Sequence, residues 1–307
     1  MGFLKRIVLF LLVNMLVVLT ISVILRLLNV QPFLQAHGIS YPDLIFFCVI
    51  WGFGGAFISL SLSRVMAKWL MGVRVIDPSI ADAQSQELVR MVYSLSRNAG
   101  LSTMPEVGIY ESREVNAFAT GPSRRRSLVA VSRGLLAKLS KEELEGVLGH
   151  EIAHIANGDM VTMTLLQGVI NAFVMFLARI LAFAFSGLGN KNQQNRSSTG
   201  SYYMLVFVFE LVFMVLGMLA IAAYSRYREF RADLGGARLA GTQKMISALT
   251  ALKETLQITD KRYEKPALQA FKISSPKEGS IRHLFSTHPS LEARIERLAH
   301  LANEQRT

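Results

Sequence analysis

Ser140-Lys141-Glu142-Glu143-Leu144-Glu145-Gly146-Val147-Leu148-Gly149-His150-Glu151-Ile152-Ala153-His154-Ile155-Ala156-Asn157-Gly158 reads as one helix with both ends marked. Ser140 suits the N-cap, and Glu143, three residues on, completes a capping box. Asn157-Gly158 closes the far end. Leu144, Val147, Leu148, Ile152 and Ile155 recur at helical spacing and form an apolar stripe. His150 and His154 are four residues apart, so both project from one face. Two imidazoles so placed can bind one zinc ion, with Glu151 beside the metal's water. Burying His, Glu and His unpaired on an apolar helix is costly, and a metal is what relieves that cost.

Two histidines leave a catalytic zinc one protein ligand short. His37, His283, His288 and His300 remain, and His37 falls in a loop read below as lying on the other side of a membrane. A better donor stands in Tyr227-Arg228-Glu229-Phe230-Arg231-Ala232-Asp233, where Glu229 and Asp233 again share a helix face. Glu229 would complete the metal site, and Asp233 would accept a hydrogen bond from one histidine and set its tautomer. Taken alone, Glu229 among three arginines also reads as a surface ion pair.

The rest of the chain is unusually apolar. Of 307 residues, 51% are hydrophobic and 18% charged, against about 25% charged in an average soluble domain. Mean hydropathy is +0.34. Disorder is excluded, and Cys48, the single cysteine, rules out an internal disulfide framework or a cysteine-rich zinc cluster. Residues 7–25 carry no charge over 19 positions, enough to cross a bilayer core. A cleaved signal would have a shorter apolar region, roughly 7–15 residues, and a small-residue cleavage site. Arg26-Leu27-Leu28-Asn29 follows instead, favouring an uncleaved anchor. Residues 44–63, 160–186 and 202–225 are the further spans, with Gln167, Asn171, Arg179 and Glu210 inside the last two.

Basic flanks orient these spans. Lys5 and Arg6 precede the first, Arg64, Lys68 and Arg74 follow the second, and Arg226, Arg228 and Arg231 follow the fourth, whereas residues 27–43 hold no Lys or Arg. The expected organisation is a membrane hairpin over 1–63, a first catalytic block over 64–159, a second hairpin over 160–225 and a second block over 226–307. Both blocks and both termini then share the cytoplasmic face. The net charge of +11 fits basic domains beside anionic headgroups of the lipid bilayer. No nucleic-acid module is recognisable, so no nucleic-acid partner is expected. In the first block, residues 82–99 have helical spacing, and 107–110, 115–120 and 128–131 read as short strands, with Gly121-Pro122-Ser123 and Arg124, Arg125 and Arg126 as the turn between the last two.

HExxH followed by ExxxD resembles the gluzincin metalloproteases. Asn116-Ala117-Phe118-Ala119-Thr120-Gly121, His150–His154, Glu229–Asp233 and Thr287-His288-Pro289-Ser290-Leu291-Glu292-Ala293-Arg294 together resemble the HtpX family of membrane proteases, relatives of the prenyl-protein CAAX endoproteases. The resemblance spans essentially the whole chain, the loop between the third and fourth spans matching least. It implies an α+β, zincin-like catalytic domain with a small mixed sheet on four transmembrane helices. It further implies one zinc per chain, a bacterial inner-membrane location, and cleavage of protein substrates, misfolded membrane proteins among them, in stress-linked quality control.

Within that resemblance an edge strand takes the substrate as an added strand. Asn116, Ala117 and Phe118 are the substrate-binding candidates, Asn116 either holding a substrate carbonyl or simply facing a turn. His288 precedes Pro289, which suits the first residue of a helix carrying Leu291, Ile295 and Leu298. It either stabilises the reaction's oxyanion or caps that helix. Arg294 is expected to pair with an acid of the site such as Asp233. The rival reading is a non-catalytic transporter or metal-dependent scaffold built on Arg179 and Glu210. Glu151 separates the two readings, because a binding-only zinc site has no use for it.

Overall fold

Capping chemistry and apolar spacing account for where the helices begin and end. The structure, a computed structural model, describes residues 40–188, 199–258 and 285–304. The expected span 7–25, His37 and His283 lie outside the described residues. In chain order the elements are α1 (Tyr41–Leu70), β1 (Arg74–Val75), α2 (Ala83–Asn98), β2 (Glu106–Tyr110), β3 (Ala117–Ser123), β4 (Arg126–Ser132), α3 (Arg133–Lys138), α4 (Lys141–Asn157), α5 (Asp159–Leu188), α6 (Thr199–Ala240), α7 (Thr242–Ile258) and α8 (Leu291–Glu304). The chain divides into two compact units: Met1–Ser59 with Thr162–Ile221, and Leu60–Val161 with Ala222–Thr307.

The first unit is helical. α1, α5 and α6 contain stretches long and apolar enough to cross a membrane, Pro42–Leu70, Asp159–Ser186 and Ser201–Ala240. Three such helices are therefore present among the described residues. In this unit α1 passes close to α5, because a Cβ on Gly52 would stand 2.6 Å from the Ala172 nitrogen. Arg179 is not left uncompensated. Its Nη1 donates to Glu210 Oε1 at 2.7 Å and to the Met175 carbonyl at 2.9 Å, and its guanidinium lies over the Phe47 ring. The two charges that motivated the transporter reading thus satisfy one another.

The second unit holds a four-stranded mixed sheet in the order β1-β2-β4-β3, with β2 parallel to β4 and the other pairs antiparallel. β4 is covered on both faces. Val129 and Val131 enter the main core with Leu135, Leu148, Ile152 and the α2 residues Leu88, Val92 and Leu95. Leu128 and Ala130 enter a second cluster with Tyr110, Phe118 and Ala67. That double burial explains why 128–131 is an unbroken apolar run rather than an alternating one. The expected β3–β4 turn is too long. Pairing continues to Ser123 and resumes at Arg126, leaving Arg124 and Arg125 in the turn. A register shift between Thr120 and Ser123 absorbs one extra residue on β3, at Gly121, whose φ of 140° suits glycine and where a side chain would run into the Arg126 carbonyl. β3 ends up at the sheet edge.

α4 has the capping box read from its sequence: Ser140 Oγ accepts from the Glu143 N–H, and Glu143 Oε2 accepts from the Ser140 N–H at 2.8 Å. Gly158, in the left-handed conformation, closes it. Glycines let α4 approach its neighbours almost backbone to backbone. A Cβ on Gly146 would stand 2.5 Å from the Lys244 carbonyl oxygen of α7, and one on Gly236 of α6 would stand 2.9 Å from the His150 nitrogen.

Candidate metal centre

His150 and His154, one turn apart on buried α4, present their Nε2 atoms to each other at 3.1 Å. Glu229 arrives from α6 and is fully buried. Its Oε2 lies 3.4 Å from His150 Nε2 and its Oε1 3.3 Å from His154 Nε2. Ligand atoms about 2.0–2.1 Å from a tetrahedral zinc stand about 3.3 Å apart, and one ligand atom from each of the three residues lies within 4.8 Å of the others, close enough to converge on one ion. Glu229 Oε2 is moreover buried with no well-aligned hydrogen bond, although His288 Nδ1 stands 2.9 Å away and His150 Nε2 3.4 Å away. A buried oxygen in that condition is costly, and a cation bound among the three groups would satisfy it. The donor set therefore fits a divalent metal, and among the described residues it is the group of three that can hold one.

The surrounding residues fix the imidazoles. Asp233, one turn beyond Glu229 on α6, sets its Oδ1 2.9 Å from His150 Nδ1. Arg294 of α8 is 1% exposed and clasps the same carboxylate twice, Nε to Oδ2 at 2.8 Å and Nη2 to Oδ1 at 2.6 Å. Its Nη2 also reaches within 3.3 Å of His150 Nδ1. Burial and the Arg294 charge work against protonating His150, but hydrogen bonds to Asp233 and Glu229 outweigh them and raise its pKa to about 9. Burial opposes the charged form of His154 as well, and Glu229 overrides it, so that pKa is also raised. The site is built to receive positive charge. Arg228 lies 3.1 Å from Glu229, so the ion-pair reading of that glutamate describes a real contact, although a buried one.

The remaining candidates are placed as follows. Glu151 is buried on the same helix as the histidines and, among the described residues, makes no hydrogen bond or ion pair. His288 is half-buried, with Nδ1 2.9 Å from Glu229 Oε2. It does not cap α8, which starts at Leu291 rather than at Pro289. Ser290 supplies the cap, its Oγ accepting from the Ala293 N–H. Proline lacks an N–H but leaves Ser290 free to satisfy the first turn. Asn116 precedes β3 instead of lying within a strand from 115. Its backbone exchanges hydrogen bonds with Ser132, and its side-chain Oδ1 is buried without a partner. Ala117 and Phe118 turn their side chains into the two cores, so their backbone is what the edge offers. Sequence reasoning missed Asp159, whose Oδ2 lies 2.7 Å from His154 Nδ1. The available signal was a carboxylate directly after the glycine that ends α4.

A helix-borne pair of histidines, a glutamate from a second helix and membrane-length helices, together with the family and relatives that follow, make this a membrane metalloprotease. The chain belongs to peptidase family M48, whose model matches residues 82–302. It is 49% identical over 300 residues to a protease HtpX homolog of Bacillus velezensis, covering 96% of this chain and 98% of that one. It is 50% identical over 302 residues to the Bacillus subtilis homolog, with the same coverage, and 44% identical over 293 residues to protease HtpX of Cellvibrio japonicus. Among solved structures, the crystal structure of S. mikatae Ste24p superposes with a TM-score of 0.55 at 17% identity, covering 94% of this chain and 66% of that one, a likeness of fold.

Proposed function

We propose that the chain is a zinc-dependent endopeptidase that hydrolyses peptide bonds of protein substrates. The observation that carries this reading is the buried convergence of His150, His154 and Glu229, one ligand atom of each lying within 4.8 Å of the others. A zinc ion held by His150, His154 and Glu229 would supply Lewis acidity for the scissile carbonyl and for an attacking water near neutral pH. Glu151, free of ion pairs among the described residues, takes that proton and returns it to the leaving amine. His288, at the rim beside Glu229, donates a hydrogen bond to the developing oxyanion. Asn116 positions the substrate backbone, supported by an edge strand that can accept an added strand. Asp233 and Arg294 hold His150.

The proposed organisation is two membrane hairpins, 1–63 and 160–225, and two cytoplasmic blocks, 64–159 and 226–307, in a bacterial inner membrane. Lys and Arg gathered in the flanks support that orientation. Misfolded membrane proteins under stress are the proposed substrates, supported by the relatives' family and by the apolar helices. Casein or a membrane-protein substrate incubated with purified protein tests the activity. Cleavage that a chelator stops and zinc restores is expected. Chelator-insensitive cleavage, or none in a metal-loaded sample, contradicts it.

A further inference from the structure

Each of the two histidines has a carboxylate on its far nitrogen, and the two carboxylates come from different places. His150 Nδ1 faces Asp233 of α6, which it shares with Arg294. His154 Nδ1 faces Asp159 Oδ2 at 2.7 Å, and Asp159 is buried. Among the described residues His154 is the ion-pair partner of Asp159. Asp159 is the first residue of α5, and Gly158 alone separates it from α4. Gly158 adopts φ 68° and ψ 36°, and its N–H closes onto the His154 and Ile155 carbonyls. This left-handed joint folds the start of α5 back against the last turn of α4, within reach of a ligand four residues inside that turn.

An imidazole that donates Nδ1–H to a carboxylate must offer its lone pair at Nε2. His154 Nε2 is the atom that faces His150 Nε2 and Glu229. We propose that Asp159 is a positioning residue of the metal centre, fixing the tautomer and ring orientation of His154 as Asp233 does for His150. The proposal rests on reading His150, His154 and Glu229 as the metal site. Outer carboxylates of this kind change metal affinity by about 10–100-fold. An acidic residue at a helix start also stabilises the helix without touching any metal, and the test must separate these roles.

A serine hydroxyl is too short to reach Nδ1, while an asparagine carbonyl can still accept from it. The full-length protein is loaded with Co2+, its visible absorption recorded, and release to a chelator timed. Asp159→Asn is expected to stay close to wild type. Asp159→Ser, compared at a temperature where it is fully folded, is expected to release Co2+ about 10–100-fold faster, with altered visible bands. Wild-type release and spectra in Asp159→Ser, beside a wild type that takes up one Co2+, overturn the proposal alone. A wild type that takes up no Co2+ overturns the metal-centre reading and this proposal with it.

Discussion

Glu151, Glu229, Asp233 and Asp159 are four carboxylates around two imidazoles, and each one's role follows from the atom it faces. Glu151 faces no ligand nitrogen at ion-pair distance, so Glu151→Gln should keep the metal while proteolysis falls by at least about 10²–10⁴-fold. Metal analysis beside casein cleavage checks this, and a folded variant that has lost its metal contradicts the proton-transfer role. Glu229 faces both Nε2 atoms, so Glu229→Ala should lose metal and activity together. Asp233→Ala should weaken the metal by about 10–100-fold. It also strands the Arg294 guanidinium, and breaking a buried pair costs about 3–5 kcal/mol. Asp233→Ala with Arg294→Met should therefore melt higher than Asp233→Ala alone, as denaturation of the three proteins would show. A site emptied by Asp233→Ala but still filled in Glu229→Ala places the ligand one helical turn away.

At the scale of elements, glycines set the spacing that the ligands need. Gly146 and Gly149 of α4 meet Gly236, Ala240 and the Lys244 carbonyl, where side chains would hold the helices apart. Gly236→Ala gains about 1 kcal/mol of helix propensity, but its Cβ would stand 2.9 Å from the His150 nitrogen. Overpacking of this kind costs about 1–3 kcal/mol, and the displaced atoms belong to a ligand. The variant should melt lower and hold its metal more weakly than wild type. A Gly236→Ala protein that is more stable with undiminished metal would show that α4 and α6 can separate freely.

For the whole molecule, the metal would join α4 to α6 inside the second unit. A ligand that binds only the folded chain stabilises it by about 4.1 kcal/mol when free at 1,000 times its Kd. Chelator should lower the thermal midpoint of the purified protein, and added zinc should restore it. α1, α5 and the part of α6 before Ala222 contain none of these ligands, so much of the helical circular dichroism should persist through the chelator-sensitive step. Identical melting with and without chelator would mean that no metal ties the two helices.

What the sequence by itself determined is what neighbours along the chain encode. The Ser140 cap, the Gly158 stop and the i, i+4 spacings of His150 with His154 and of Glu229 with Asp233 are properties of single helices, legible because a helix repeats every 3.6 residues. The apolar runs in α1, α5 and α6 are equally local. Tertiary structure alone decided the rest. The pairing of Arg294 with Asp233 was expected from the sequence and is found, but that Arg294 is buried while the similar Arg297 is not is a matter of packing, because arginines are almost always exposed unless paired. The approach of His288 to Glu229, the edge position of β3 and the two-residue β1 depend on segments distant in the chain. Even Asp159, five residues from its histidine, went unread, because helical periodicity ends at the left-handed Gly158 and gives no face to the residue beyond it. Periodicity places a side chain on a face, but packing decides which atom it meets.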